Sequence, residues 1–121
     1  MPSLFEVTAG KLTGPTTGGS VTQATNKTTG VTLNSESGVI TMNNAALGAA
    51  AEATFEVTND KVAAADIPFV AIASGGTAGS YLVGISAVAA GSFKITVTNV
   101  SGGSLSEAVV INFAIFKGSA S

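Results

Sequence analysis

The chain has 121 residues, a length that suits a single domain with one hydrophobic core. Charged residues make up 10% of the sequence, against roughly 25% in ordinary globular domains, and the formal net charge is −2. Histidine and cysteine are both absent, which removes the commonest proton-transfer groups, nucleophiles and zinc ligands. The composition therefore argues against an enzyme, against a disulfide framework and against the common metal sites.

The N-terminal segment differs in composition from the rest of the chain. Leu4, Phe5 and Val7 form a short apolar patch, and residues 10–19 are rich in glycine, threonine and proline. Because that composition argues against a packed element, we predict an N-terminal arm and linker over residues 1–18, with a disordered terminus as the alternative. The start has no basic region followed by an apolar run, so no signal peptide is expected.

Six short strands are predicted between the arm and residue 91, separated by turns rich in glycine, asparagine and serine. They cover residues 20–24, 30–34, 39–42, 52–59, 67–73 and 81–88. Apolar and polar residues alternate in the fourth, so Ala53, Phe55 and Val57 should face a core. Pro68, near the start of the fifth, fits a strand start or an edge strand.

The stretch 91–117 is predicted as two further strands joined by a turn. Phe93, Ile95 and Val97 alternate with polar residues in the first strand, and residues 99–104 supply asparagine, serine and glycine for the turn. The second strand, residues 105–116, is apolar on both faces. Such a strand is covered on both faces, by its own domain or by a neighbouring subunit.

Strands at ~8–12-residue spacing without amphipathic helices between them indicate an antiparallel sandwich or barrel. Eight strands in two sheets is the number of a jelly roll, so we predict an all-β, antiparallel, jelly-roll-like β-sandwich over residues 19–121, after the arm. An immunoglobulin-like sandwich is the alternative. Because charges are so few, we expect much of the surface to be buried in an assembly; a neutral polar surface is the other interpretation.

Candidates for catalysis or ligand binding are weak. Glu52 and Glu56 are predicted to lie in water on one strand, not across a cleft. Asp60 and Asp66 flank one loop without the spacing of a calcium-binding loop, and the glycine-rich residues 75–79 lack the lysine and helix of a phosphate loop. The chain has no arginine, its pI is about 4.8, and no apolar run reaches ~18 residues. We therefore predict no catalytic residue, no cofactor, no metal, no nucleic acid and no membrane partner.

Four stretches resemble a group of small virion-associated proteins of tailed phages and prophages. They are residues 19–34 (GSVTQATNKTTGVTLN), 38–43 (GVITMN), 73–81 (ASGGTAGSY) and 91–108 (GSFKITVTNVSGGSLSEA). Some members of this group look like capsid decoration (cement) proteins, and others look like modules of tails or fibres. The resemblance covers about residues 19–117.

The resemblance implies a structural virion protein, a homotrimer of jelly-roll-like subunits that is assembled in the host cytoplasm. Such a protein binds the phage major capsid protein on the outer head surface and stabilises contacts between capsid subunits. As residues of the interface with the capsid or a neighbouring subunit we predict Leu4, Phe5, Val7, Val110 and Phe116. One alternative is a tail or fibre module that binds a host receptor or glycan through residues 74–80. Another is a secreted carbohydrate-binding domain, which the lack of a signal peptide disfavours.

Overall fold

The computed structural model describes residues 6–8, 11–13 and 18–118, and within them the chain forms ten β-strands and no helix. The strands are β1 (Glu6–Thr8), β2 (Lys11–Thr13), β3 (Ser20–Thr22), β4 (Val31–Thr32), β5 (Ser37–Thr41), β6 (Glu52–Thr58), β7 (Ile67–Ser74), β8 (Tyr81–Ala89), β9 (Ser92–Asn99) and β10 (Val110–Phe116).

Eight of these strands form two four-stranded sheets that enclose one core. Sheet I has the order β3-β5-β10-β7, and sheet II has the order β4-β6-β9-β8. The inward side chains of both sheets belong to one hydrophobic cluster. Phe93 of sheet II and Phe113 of sheet I meet in it with ring centroids 5.4 Å apart. The prediction of an all-β sandwich of about eight strands is confirmed.

The alternation of apolar and polar residues decides which side chains enter the core. Phe55 and Val57 of β6 and Ile95 of β9 are almost fully buried, whereas the polar residues between them face outward. On that outer face of sheet II, the hydroxyl oxygens of Thr54 and Thr96 are 2.7 Å apart. Strands β6 and β9 of sheet II therefore have an apolar inner face and a polar outer face, as the period of two predicts, whereas the edge strand β8 exposes Leu82.

Two of the strand pairs are parallel, so the prediction of a purely antiparallel sandwich is wrong for β3/β5 and β4/β6. The reason is the path of the chain, because β3 to β6 alternate between sheets I and II. Two successive reversals of direction return the chain to its original direction in the same sheet. A pattern of two reports which face of a strand is buried and carries no information about the direction of its neighbour.

Strands β9 and β10 do not form the predicted hairpin. β9 lies in sheet II between β6 and β8, and β10 lies in sheet I between β5 and β7. The last strand begins at Val110 and not at Leu105, which makes only an isolated bridge to Leu47. The tight hairpin is instead β8–β9, whose turn contains Gly91 at φ 86°, a conformation that glycine adopts without strain.

The first two strands form a small antiparallel sheet of their own, in which Val7 lies opposite Leu12. The sequence predicted no packed element over residues 10–19, whereas residues 11–13 form β2. Three residues are too few for a period of two to be recognised among glycine and threonine. All strands of sheets I and II lie between Ser20 and Phe116, and the arm over residues 1–18 stays a prediction.

Candidate interaction surface

A buried lysine joins three loops at one end of the sandwich. Lys27 is 4% exposed, and its ammonium group donates to the backbone carbonyls of Asn43 and, at 2.6 Å, Glu107. Gln23 donates to the carbonyl of Lys27 at 2.9 Å and accepts from the backbone N–H of Asn43 at 2.9 Å. Burial lowers the pKa of Lys27, and the charge of Glu107 partly offsets that effect. No pattern in the sequence marks Lys27 as a buried lysine that holds loops together.

The carboxylate of Glu107 holds the loop between β7 and β8. It accepts hydrogen bonds from the backbone N–H of Thr77 at 3.0 Å, from the Thr77 hydroxyl at 2.9 Å and from the Tyr81 hydroxyl at 2.8 Å. The bond from the Thr77 N–H, followed by that from Tyr81, lowers the pKa of Glu107. Burial and the bond to Glu107 raise the pKa of Tyr81 to about 12. The loop is therefore fastened to the sandwich by a carboxylate on another loop.

A recess of about 310 Å³ lies beside this loop, lined by Ile72, Tyr81 and residues of the loop. None of the lining residues is charged. Tyr81 is 6% exposed, so its ring cannot serve as a stacking platform for a sugar. This geometry gives no support to the loop 74–80 as a glycan contact.

The outer face of sheet I is apolar, in contrast to that of sheet II. Ile67 and Phe69 of β7 are each 55% exposed, and Val39 of β5 is 36% exposed. Register places Phe69 beside Ala114 and Ile67 beside Phe116. The rings of Phe69 and Phe116 pack edge to face, with centroids 4.9 Å apart. We call this surface the apolar face; its outward apolar side chains are Val39, Ile67, Phe69, Ala71, Val110, Ala114 and Phe116. The exposed polar side chain of Asn112 lies among them, between Val39 and Ala71.

Charge separates the two outer surfaces. The four strands of sheet I contain no charged residue. Sheet II carries Glu52 and Glu56 on β6 and Lys94 on β9, all exposed, with Glu56 opposite Lys94. An exposed apolar surface without charges is typical of a site that another molecule covers, because such area is unfavourable in water.

Two of the predicted interface residues lie on sheet I. Val110 and Phe116 are half-buried at opposite ends of β10, and their even spacing places both on the outer side. Leu4 and Phe5 lie outside the described residues, and Val7 is placed only by its backbone in β1. Sequence reasoning missed Ile67 and Phe69, the most exposed large apolar residues of the face. The sequence feature that could have revealed them is the composition of β7, an edge strand that is apolar on both faces.

An ion pair between the buried Asp66 and Lys117 lies at one end of sheet I, beside the apolar face. Asp66 precedes β7, and its side chain is 2% exposed. It accepts hydrogen bonds from the ammonium group of Lys117 and from the backbone N–H groups of Ala63 at 2.8 Å and Gly118 at 3.0 Å. Burial alone would raise the pKa of Asp66, but these bonds, that of Lys117 first, outweigh burial and lower it. The ion pair thereby ties the start of β7 to the end of β10, which lie side by side in the antiparallel pair.

This carboxylate should make the fold sensitive to acid. Since the pKa of Asp66 is lowered from its usual value of 3.8, the unfolded chain takes up the proton first, and stability falls as the pH drops below about 4. We expect the wild-type Tm to fall between pH 5 and pH 2.5, and Asp66→Asn to show a smaller fall. Thermal unfolding followed by circular dichroism at both pH values measures this. Parallel losses in the two proteins would contradict the assignment.

Comparison with known proteins adds no relative: no family model, no curated protein and no solved structure matches the chain. The described residues contain no helix long and apolar enough to cross a membrane. They also contain no cluster of three metal-ligating side chains. Fold and surface together define a class, namely an all-β sandwich with one polar and one uncharged apolar outer face.

Proposed function

We propose that this chain is a structural virion protein of a tailed phage, a capsid decoration protein that binds the outer head surface and stabilises contacts between major capsid proteins. The single observation that carries the proposal is the apolar face, whose strands contain no charged residue. The assignment to a phage virion rests on the resemblance of residues 19–117 to small virion proteins. The proposal includes a homotrimer and a jelly-roll-like subunit. The two facing four-stranded sheets support the subunit architecture only as a sandwich, because the parallel pairs β3/β5 and β4/β6 depart from an antiparallel jelly roll.

Burial of the apolar face supplies the binding free energy in this proposal. A phenylalanine can bury roughly 200 Å², so covering the 55% of Phe69 that is exposed gives about 2–3 kcal/mol at ~25 cal/mol per Å². Ile67 and Val39 add to that amount. Because a decorated head carries many symmetric copies, small contributions from each copy sum to a large resistance of the shell against internal pressure.

The rigid sandwich suits such a role better than a catalytic one. The described buried side-chain nitrogen and oxygen atoms all have hydrogen-bond partners. The shifted pKa values belong to groups that fasten loops: Lys27, Asp66, Tyr81 and Glu107. Because these four groups are bound to neighbouring loops, they stabilise the shape of the subunit. The carboxylates of Asp66 and Glu107 do not face each other across an open cleft, as those of a glycosidase do.

Binding to empty capsids of the phage that encodes the chain tests the proposal. We expect wild-type protein to co-sediment with the capsids to saturation and to raise their melting temperature. Phe69→Lys should weaken binding at least tenfold, because it places a charge in the apolar face. Thr58→Lys, on the exposed polar face of sheet II, is the matched control and should bind as the wild type does. The absence of saturable binding would overturn the proposal, and binding to host cells or glycans instead would favour the tail or fibre alternative.

A further inference from the structure

We propose that Asn112, at the centre of the apolar face, determines which partner that face accepts. Its side-chain amide pairs with the backbone N–H and C=O of one residue in an extended, uncharged segment of the major capsid protein, whose apolar side chains fill recesses on either side. This inference rests on the proposed function, because it takes the capsid protein as the occupant of the face. It adds the residue that gives the contact its specificity and the chemistry of the segment that binds there.

Asn112 is surrounded by apolar side chains. It is exposed near the middle of β10, and its partners in the two neighbouring strands are Val39 and Ala71. Val110 and Ala114, each two residues away along β10, lie on the same side of the sheet. A molecule that covers the apolar face therefore also removes the Asn112 amide from water.

The amide of Asn112 is not used within the subunit. Among the described residues its side chain makes no hydrogen bond, whereas those of Asn43, Asn59 and Asn99 each donate to a backbone carbonyl and so fasten a loop. Asparagine is also unfavourable in the middle of a strand, where β-branched and aromatic residues pack better. A local choice that works against the fold is expected where a residue serves binding.

Covering this amide is unfavourable unless the partner bonds to it. A polar group that is buried without a hydrogen bond loses its bonds to water and forms none in their place. A site with such a group rejects partners that cannot bond to it, even when their apolar area is sufficient. Ile67 and Phe69 offer area that any apolar surface can cover, whereas Asn112 discriminates among those surfaces.

An extended backbone matches the amide. The Asn112 side chain has a carbonyl acceptor and an NH₂ donor, and in an extended segment the N–H and C=O of one residue point to the same side. One such residue can therefore donate to the amide and accept from it. The backbone groups inside a helix are already bonded to each other, so a helix does not offer this pair. Since the strands of sheet I contain no charged residue, they offer no counter-ion, and the matching segment is uncharged.

Two recesses flank Asn112 and can hold the side chains of that segment. One, of about 310 Å³, lies on the β5 side beside Val39, and the other, of about 340 Å³, lies on the β7 side among Phe69, Ala71 and Ala114. Successive side chains of an extended segment point to opposite sides. A segment that runs along β10, with one backbone edge toward Asn112, therefore directs its side chains alternately over the two recesses.

Replacing Asn112 with leucine tests the inference by the sign of the effect. Leucine is similar in size, makes the face more apolar and cannot form the hydrogen bonds. We expect Asn112→Leu to bind empty capsids about tenfold more weakly than the wild type or worse, measured as the dissociation constant from co-sedimentation. Binding of the apolar dye ANS should rise in the same variant, because the face has gained apolar area. Unchanged or tighter capsid binding would overturn the inference, because area alone would then decide binding.

Thr41→Val is the matched control. Thr41 is half-buried on the same side of sheet I, at the end of β5 opposite Val110. Valine keeps the shape of threonine and makes the rim of the face more apolar without changing Asn112. Capsid binding should stay within about twofold of the wild type. A loss as large as that of Asn112→Leu would mean that binding responds to any change on the face, and the assigned role of Asn112 would be wrong.

The fold of each variant is checked by far-UV circular dichroism and its dispersity by sedimentation. Because Asn112 is exposed, neither leucine nor alanine at this position removes core packing. If Asn112→Leu aggregates, Asn112→Ala replaces it, since alanine also lacks the amide. The same loss is then expected, and unchanged binding has the same meaning.

The inference and the proposed function fail in distinguishable ways. Wild-type protein that saturates capsids while Asn112→Leu binds equally well would overturn the role of Asn112 and leave the decoration role standing. Wild-type protein that does not bind capsids would overturn both. Weak binding by Asn112→Leu and by Phe69→Lys, with Thr41→Val unchanged, supports both.

Discussion

Replacing Phe113 with alanine is expected to lower the free energy of unfolding by about 3–5 kcal/mol. The ring is 3% exposed at the centre of β10 and packs against Phe93 across the two sheets. Gly38 lies opposite it in β5, where a Cβ atom would come within 2.9 Å of the Phe113 ring, so the site is filled closely. The variant leaves a cavity that the rigid sheets cannot close. A fall in Tm of about 10–20 °C should accompany this loss.

Phe69→Ala is the matched control, since Phe69 lies in the neighbouring strand on the outer side and is 55% exposed. Measured by urea titration at a dilution where only monomer is present, it should cost about 1–2 kcal/mol, because Phe69 loses only its partly buried contacts and the ring pair with Phe116. The two phenylalanines thus separate stability of the subunit from association. Equal losses for the two variants would mean that the inner and outer faces of sheet I have been assigned wrongly.

Asn99→Ala is expected to cost about 2–4 kcal/mol, although the residue is polar and ends a strand. Its side chain is fully buried, and its amide donates to the carbonyls of Leu47 at 2.8 Å and Gly103 at 2.9 Å. Its oxygen accepts from the backbone N–H and the hydroxyl of Ser101. Alanine removes all of these bonds where the chain crosses from sheet II to sheet I. The backbone N–H of Ser101 loses its acceptor, whereas the carbonyl of Leu47 keeps the bond from the Leu105 N–H and that of Gly103 keeps the bond from the Ser101 hydroxyl.

Asn44→Ala serves as the control because Asn44 is exposed, and it should change stability by less than about 0.5 kcal/mol. Chemical denaturation measures both variants. Amide hydrogen exchange adds a local readout: in Asn99→Ala, the amides of Leu47 and Leu105, which bond to each other's carbonyls, should lose protection first. An Asn99→Ala protein as stable as Asn44→Ala would contradict the role of this amide.

Sequence alone predicted the core well because burial follows a period of two in the long strands. Phe93, Ile95 and Val97 are fully buried as expected, and Leu82 faces away from the buried Tyr81. The edge position that Pro68 suggested is also that of β7. These features depend on local alternation and on the missing N–H of proline, and both can be read from a single chain.

Strand pairing was not predictable in the same way. Whether a turn joins partners in one sheet or carries the chain across to the other sheet depends on distant residues. The turn after Asn99 contains the residues of a hairpin, yet the buried Asn99 bonds to Leu47, and β10 pairs with β5 and β7. The parallel pairs β3/β5 and β4/β6 likewise arise because the chain crosses from one sheet to the other between successive strands.

The candidate surface was predictable only in part. The apolar character of β10 on both faces indicated a covered outer side, and Val110 and Phe116 lie there. The full surface needs the register that brings Phe69 beside Ala114 and Ile67 beside Phe116. Buried Lys27 was missed for a related reason, because its acceptors are backbone carbonyls supplied by residues 43 and 107.

The position of β10 has a consequence for how the chain acquires its structure during synthesis. β10 is the last strand along the described chain, yet it lies inside sheet I and bonds to both β5 and β7. Until residues 110–116 have left the ribosome, β5 and β7 have no strand between them, and their apolar side chains face water. The nascent chain must therefore wait for its final segment before sheet I can close, which makes folding late, non-local and slow.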